Sequence, residues 1–185
     1  MNDQVKAKVW GVFVGERGDQ LEAFNSKNGP FPPSPGVEGY IAIGWAGMGD
    51  LRMFKNNYSD YLEKFRILYP DEDGNERVLK TQANIPWNFA YSINDGDFVI
   101  CPSSASGYLL IGNIVGDYEN DFNNWISVAK TKTRADLMHL RRVKWITALS
   151  KDDPRYEKIH RIGQLTVVSP SLSAIDLINI INEDK

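Results

Sequence analysis

A β-rich run interrupted by two glycines constrains the fold of this chain more than any other feature. The run extends from Tyr108 to Tyr118, and its glycines are Gly112 and Gly116. A glycine inside a strand commonly marks a bend, a bulge or the corner of a barrel. We therefore expect one long strand here that curls, as the strands of a small barrel do.

Shorter β-rich runs occur along the rest of the chain and are separated by turn-forming residues. They predict further strands at residues 8–14, 40–45, 98–101, 137–146 and 165–168. Strands interleaved with helices indicate an α+β fold. We expect a small curled β-barrel of five to six strands with helices packed outside it.

Two segments have apolar residues at spacings of three and four, which is typical of amphipathic helices. These segments are residues 58–69 and 171–182, and Ser171 or Ser173 is expected to cap the second. Residues 78–91 are expected to be helical only in part, because Pro86 must start or break a helical segment.

The composition is that of an ordinary globular domain. The chain has 185 residues, of which 42% are hydrophobic and 24% are charged, and this size suits one domain. We expect residues 1–150 to form the main binding domain and residues 151–185 to pack on it as a strand and a helix. No apolar run approaches the ~18 residues of a membrane span, so we expect a cytoplasmic protein without a membrane partner.

The charge is unevenly distributed. The formal net charge is −3, yet residues 130–161 contain ten Lys or Arg residues and four Asp or Glu residues, a local charge of +6. A basic face of this kind can steer a polyanion towards the protein. An ordinary solvated surface is the alternative interpretation.

No complete set of catalytic residues is recognisable. The chain contains neither a Gly-x-Ser-x-Gly nucleophile elbow nor a phosphate-binding loop with its Lys and Ser or Thr. His139 and His160 lack the spacing of metal ligands, and Cys101 is expected to be a buried small residue. We expect a protein that is not an enzyme and that holds neither a metal nor a cofactor.

Aromatic and polar residues follow several predicted strands or turns, and such groups suit a pocket for a planar heterocycle. The ring of Trp45, after the second strand, is expected at the end of the sheet. Trp10 and Trp145 are expected in the core. The candidate pocket residues are Trp45, Trp87, Asn88, Phe89, Ser103, Ser104 and Tyr118.

Several short segments resemble, in order, the EVE-like group of the PUA superfamily, and more closely the N-terminal domains of Mrr-type restriction endonucleases. They are Trp-Gly-Val-Phe-Val-Gly (10–15), Ile-Ala-Ile-Gly-Trp (41–45), Gly-Asp-Leu (49–51), Asn-Asp-Gly-Asp-Phe-Val-Ile (94–100), Ile-Gly-Asn-Ile-Val-Gly-Asp-Tyr (111–118) and His-Leu-Arg-Arg-Val-Lys-Trp (139–145). The resemblance implies a PUA-like barrel with a pocket for one flipped, often modified, nucleobase. It also implies that Trp45 forms part of the pocket wall and that Ser103 and Ser104 face the pocket.

The sequence as a whole favours a DNA-binding module that recognises a flipped, modified base in a restriction or defence setting, alongside a nuclease or other effector domain or subunit. The expected phosphate contacts are Arg17, Lys130, Lys132, Arg134, Arg141, Arg142 and Lys144. RNA is the alternative nucleic acid. A small-molecule sensor or protein-interaction module is the alternative from another class, and the net negative charge favours it. The proline-rich loop at residues 29–39 is expected either to cover the pocket as a lid or to block it.

Overall fold

The computed structural model describes residues 7–25, 30–71, 74–120, 137–159, 167–168 and 171–183. Its strands are β1 (Val9–Val12), β2 (Glu38–Ile43), β3 (Phe98–Pro102), β4 (Tyr108–Asn120), β5 (His139–Ser150) and β6 (Val167–Val168). Its helices are α1 (Leu21–Asn25), α2 (Tyr58–Leu68), α3 (Glu76–Tyr91), α4 (Pro154–Ile159) and α5 (Ala174–Ile181). Short 3-10 turns cover Glu16–Gly18, Ala46–Met48 and Leu51–Phe54.

All six strands belong to one mixed sheet with the order β2-β5-β4-β3-β1-β6. β1 and β3 run parallel, and the other neighbouring pairs run antiparallel. The predicted α+β class is confirmed. The closed barrel is not: in the described part of the chain β2 and β6 are the two edges of the sheet and do not pair with each other.

A side chain from α1 covers the outer edge of β2. The Asn25 side chain donates to the Tyr40 carbonyl (3.1 Å) and accepts from the Tyr40 N–H (3.2 Å), as a neighbouring strand would. The same Asn25 Oδ1 accepts from Trp145 Nε1 (2.9 Å). A Cβ on Gly39 would lie 1.9 Å from that oxygen, so glycine is required there. An edge whose hydrogen-bonding groups are satisfied in this way has less need of a further strand.

Replacing Asn25 by alanine is expected to lower the free energy of unfolding by about 2–4 kcal/mol, because the buried Trp145 N–H and the Tyr40 backbone lose their partner. Urea denaturation followed by circular dichroism measures the change. Asn84→Ala is the matched control: Asn84 is exposed and accepts from the Tyr58 hydroxyl, so a loss below about 1 kcal/mol is expected. Equal losses in the two variants would contradict this role of Asn25.

The long glycine-containing strand bends where the sequence predicts. The pairing of β4 with β5 shifts register between Ile111 and Gly112, and again between Val115 and Glu119. A Cβ on Gly112 would lie 2.4 Å from the Val143 side chain, so this glycine permits a close approach of the two strands. The curl of β4 is therefore present although the sheet stays open.

Helix α3 differs from its prediction, because it continues through Pro86 from Glu76 to Tyr91. A proline inside a helix removes one backbone hydrogen bond and strains the preceding turn. Here the Pro86 ring is buried, as are Leu79, Ala83 and Phe89 on the same helix. Their packing against the sheet is sufficient to keep the helix continuous.

The sheet is covered on both faces. Trp10 and Trp145 lie in the larger core, as predicted, together with residues of α2 and α3. A second cluster packs residues of β1, β3 and β4 against Ile159 of α4 and Leu177 of α5. Ser173 is the N-cap of α5, since its Oγ accepts from the Asp176 N–H. Of the strand predicted at 165–168, residues 165–166 lie outside the described residues.

Candidate functional site

Trp45 lies just beyond the end of β2, half-buried, with a backbone conformation that is unusual for a large residue. Its φ and ψ are 67° and 37°, in the left-handed region. This conformation costs a residue other than glycine on the order of 1–3 kcal/mol, and it persists only where the surroundings impose it. Such outliers cluster at functional sites, and Trp45 is the one large aromatic residue among the three described non-glycine residues with a positive φ.

A buried hydrogen-bonded chain holds the Trp45 carbonyl. His139 is fully buried, and its Nε2 lies 3.1 Å from the Trp45 oxygen while its Nδ1 lies 2.6 Å from the Tyr118 hydroxyl. The Trp45 oxygen also accepts from the Met48 N–H (3.0 Å). The backbone N–H of Leu51 approaches the Tyr118 hydroxyl at 3.5 Å. These contacts connect β4 and β5 to the segment that carries Trp45.

His139 is neutral at physiological pH. Burial lowers its pKa to about 4, an effect only partly opposed by the bond to the Trp45 carbonyl and by the negative charge of Asp50. A carbonyl oxygen can only accept a hydrogen bond. His139 Nε2 is therefore the protonated nitrogen, and Nδ1 accepts from the Tyr118 hydroxyl. The Trp45 carbonyl thus selects the tautomer of His139, because the Tyr118 hydroxyl can either donate or accept.

An ion pair within one turn lies next to this chain. Asp50 caps the turn Leu51–Phe54 by accepting from the Arg52 N–H, and its carboxylate binds the Arg52 guanidinium with Nε at 2.9 Å from each oxygen. The Arg52 hydrogen bond holds the pKa of Asp50 below its usual value. The Arg52 side chain remains 61% exposed. Asp50 therefore presents a pre-oriented guanidinium to solvent, a role for which neither residue carries a sequence signal.

Trp87 belongs to an aromatic cluster that contacts the same turn through Tyr91. Its ring packs against Tyr91 (4.3 Å between centroids) and Tyr58 (4.9 Å). The Tyr91 hydroxyl donates to the Leu51 carbonyl. Leu51 therefore links this cluster to Tyr118, and Tyr118 is linked through His139 to the Trp45 carbonyl.

The neighbours of Trp87 on α3 have other roles. Phe89 is completely buried in the core, so its ring is not available to stack on a ligand. Asn88 accepts from the Ser92 hydroxyl at 3.0 Å, near the end of the same helix. The structure therefore does not place Phe89 or Asn88 with Trp45 as part of one binding site.

Ser103 and Ser104 lie at the other end of the sheet. Ser103 is buried and its Oγ accepts from the Ser106 N–H, whereas Ser104 is exposed. They follow β3, and the end of β3 pairs with the start of β4 at Leu109. Trp45 instead follows Ile43, which lies beside His139 and the end of β4. The two ends are about 35 Å apart along the strand. Because the strands are antiparallel, Trp45 and the two serines lie at opposite ends of the sheet although each follows a strand.

The predicted phosphate contacts separate into three groups. Arg141 is buried and donates to the carbonyls of Phe89 (2.7 Å), Ala90 (3.1 Å) and Gly116 (3.5 Å), so it holds the end of α3 instead of facing a ligand. Burial lowers its pKa to about 10. The surface contains Arg142, Lys144 and Arg17, while Lys130, Lys132 and Arg134 lie outside the described residues.

The surface cations lie in different places. Arg142 pairs with Glu119 at 2.8 Å, and Lys144 is opposite Glu38 in the register of β5 and β2. Arg17 belongs to the turn Glu16–Gly18, and a Cβ on Gly18 would meet the Pro102 carbonyl, so Arg17 lies at the Ser103 end. Arg142, Lys144 and Arg17 thus do not form one continuous patch beside Trp45.

The described part of the proline-rich loop packs away from Trp45. The Gly36 N–H donates to the Trp145 carbonyl (2.7 Å), and the Trp145 N–H donates to the Val37 carbonyl (2.9 Å). The Phe31 ring contacts Tyr108 at 6.3 Å between centroids, at the start of β4. Residues 30–37 therefore neither cover nor block the Trp45 site.

Other candidate chemistry can be located in the described residues. Cys101 is completely buried, as predicted, and burial raises the pKa of its thiol. The described ranges contain no group of three or more His, Cys, Asp or Glu side chains placed to hold a metal ion. None of the helices seen in the described residues is both long and apolar enough to cross a membrane.

The fold and the site define an α+β domain with an open mixed sheet and a strained aromatic residue at one sheet end. The chain belongs to the family described as "Domain of unknown function (DUF8426)", which matches residues 35–184. Comparison with the curated proteins finds no match. A solved structure described as "Structure of Hypothetical protein from Leishmania major" is 12% identical with a TM-score of 0.38, and the alignment covers 95% of this chain and 94% of that one.

Proposed function

We propose that this domain binds nucleic acid, DNA in preference to RNA, and holds one flipped, modified base against Trp45. The observation that carries the proposal is the position of Trp45 at the end of β2, where this partly buried residue is held in a left-handed conformation by buried polar groups. A base that leaves the stack costs a few kcal/mol. Stacking on an aromatic ring returns about 1–3 kcal/mol per base.

Polar groups on the turn that follows Trp45 support the same proposal. The Arg52 guanidinium, fixed by Asp50, offers N–H donors to acceptors on a base edge or to a phosphate oxygen. Asp50 and Arg52 replace Ser103 and Ser104 as the groups proposed to recognise the base. Phosphate contacts by Arg142 and Lys144 would set affinity without selecting the base. Phosphate contacts by Lys130, Lys132 and Arg134 remain a prediction from the sequence.

The resemblance to the EVE-like group and to the N-terminal domains of Mrr-type restriction endonucleases suggests a biological setting. We propose that the domain serves restriction or defence in the cytoplasm, and that a nuclease or another effector domain or subunit acts on the bound DNA. In this proposal the domain itself recognises the base and catalyses no reaction.

Replacing Trp45 by alanine is expected to abolish the preference for a modified base, because the stacking surface is lost. Fluorescence polarisation with matched modified and unmodified oligonucleotides measures the ratio of the two dissociation constants. Trp45→Phe is the control, since it keeps an aromatic ring at the same position and should retain part of the preference. An alanine variant that keeps the wild-type ratio would show that the base does not bind at Trp45.

A small-molecule sensor or protein-interaction module is the second candidate, and the net charge of −3 favours it over a general polyanion binder. Retention on heparin at low salt separates the two candidates. Retention that Arg142→Ala or Lys144→Ala weakens favours nucleic acid. Passage through the column without delay favours a metabolite or a protein partner.

A further inference from the structure

We infer that Met53 is an intercalating wedge: its side chain enters the base stack of a DNA duplex and occupies the gap that a flipped base leaves. Proteins that unstack DNA frequently insert one apolar side chain between neighbouring bases. The inference deepens the proposed function and rests on it for the ligand, since it names the residue that holds the opened duplex.

Met53 is the most exposed large hydrophobic residue in the described part of the chain, at 78%. It belongs to the turn Leu51–Phe54, whose other two apolar residues are covered. Leu51 is completely buried, and the half-buried Phe54 ring packs against Tyr61 at 5.7 Å between centroids. One exposed hydrophobic residue is ordinary on a protein surface. Met53 differs because its turn is anchored and carries positive charge.

Hydrogen bonds fix the backbone of this turn. The Leu51 carbonyl accepts from the Tyr91 hydroxyl, and the Leu51 N–H lies 3.5 Å from the Tyr118 hydroxyl. The Met53 N–H donates to the Asp50 carbonyl (3.2 Å). A side chain on a pre-formed backbone loses less conformational freedom on binding than one on a loop that must first become ordered. The turn is therefore suited to push a side chain into a stack.

The charges beside Met53 suit a polyanion. Residues 51–57 contain two cations, Arg52 and Lys55, and no acid, although the net charge of the chain is −3. Both cations are exposed, and the Asp50 carboxylate orients the Arg52 guanidinium. A protein partner would favour a contiguous apolar patch. Cations on both sides of a single apolar side chain instead match a duplex, where phosphates border the opened base step.

The wedge and the strained residue at the end of β2 belong to connected parts of the structure. Trp45 precedes Met53 by eight residues in the sequence. The Leu51 N–H approaches the Tyr118 hydroxyl, and His139 connects that hydroxyl to the Trp45 carbonyl. The segment proposed to bind the flipped base and the side chain proposed to replace that base are therefore held in one hydrogen-bonded framework.

A duplex with one abasic site tests the inference without knowledge of the base modification. The abasic site already lacks a base, so a wedge can enter it without the cost of flipping, whereas the intact duplex of the same sequence must first be opened. The wild type should bind the abasic duplex about fivefold or more tightly than the intact one, because the Met53 side chain is buried there. Fluorescence polarisation gives the ratio of the two dissociation constants.

Three variants show which side chain produces this preference. Met53→Ala should remove it, and Met53→Leu should keep it, because leucine also serves as a wedge. Ile67→Ala is the matched control and should leave the ratio unchanged. Ile67 is 73% exposed and follows an arginine, as Met53 does. That arginine, Arg66, pairs with Glu76 of α3.

Methyl spectra observe the insertion directly. In protein labelled with ¹³C-methyl methionine, Met53→Leu assigns the Met53 signal. Ring currents of the flanking bases should move this signal upfield when the abasic duplex binds. The signals of Met48 and Met138 should stay in place, since both residues are buried.

An unmoved Met53 signal in the complex would overturn the inference, and so would an unchanged ratio in Met53→Ala. The absence of binding to both duplexes would overturn it together with the proposed function, and would favour a protein partner for the turn. If Met53 inserts but no modified base is preferred, the wedge stands and the proposed base recognition falls. If a modified DNA is preferred and the Met53 signal does not move, base recognition stands and the wedge falls.

Discussion

Replacement of Arg141 by methionine is expected to lower the free energy of unfolding by about 2–4 kcal/mol. The methionine side chain fills similar space, but it leaves the carbonyls of Phe89 and Ala90 without a donor inside the protein. Each buried acceptor that loses its partner costs about 1–3 kcal/mol. These carbonyls end α3, where a cation also interacts favourably with the helix dipole. Chemical denaturation measures the change.

The adjacent residue provides the matched control. Arg142→Met removes an exposed ion pair with Glu119, and such pairs contribute about 0–1 kcal/mol. On a heparin column the order should reverse. Arg142→Met should weaken retention and Arg141→Met should not, since only Arg142 faces solvent. Equal stability of the two variants would contradict the role assigned to Arg141.

Acidification from pH 6.5 to pH 4 is expected to remove about 3 kcal/mol of stability through His139 alone. The pKa of His139 is about 4 in the folded protein and 6.5 when unperturbed. Between these values the unfolded chain binds a proton that the folded protein excludes, so stability is complete above pH 6.5 and is lost as the pH falls. A pKa difference of this size corresponds to about 3 kcal/mol.

His139→Gln separates this contribution from that of the carboxylates, which titrate in the same range. Glutamine stays neutral, so the difference in unfolding free energy between wild type and variant should shrink or change sign as the pH falls to 4. Denaturation curves at several pH values give this difference. Parallel pH profiles for the two proteins would show that His139 does not exclude a proton in the folded state.

Local patterns were sufficient for most strands and for α2. Gly112 and Gly116 predicted the bends of β4, because a strand tolerates glycine best where it bulges. The continuity of α3 was not predictable from local rules, because burial of Pro86 against the core overrides its effect on the helix. The contact of Asn25 with the edge of β2 was not predictable either, because Asn25 lies on a short helix that carries no clear periodic signal.

The site was predictable only in part, because it depends on strand connectivity. A Trp after a strand indicated Trp45, but only the antiparallel order of β3, β4 and β5 shows that Ser103 lies at the other end. Arg141 and Arg142 look alike in the sequence, and the alternation along β5 buries one and exposes the other. His139 offered one weak signal, since it lies on the same face as Arg141 in a strand of alternating polarity.

The most direct test of the central claim is fluorescence-polarisation binding of the wild-type protein to one set of matched oligonucleotides. The set contains unmodified, methylated and hydroxymethylated DNA, each single- and double-stranded, together with RNA. We predict a preference of tenfold or more for one modified DNA, equal to about 1.4 kcal/mol, which Trp45→Ala removes. The absence of binding to every member of the set at low salt would contradict the account.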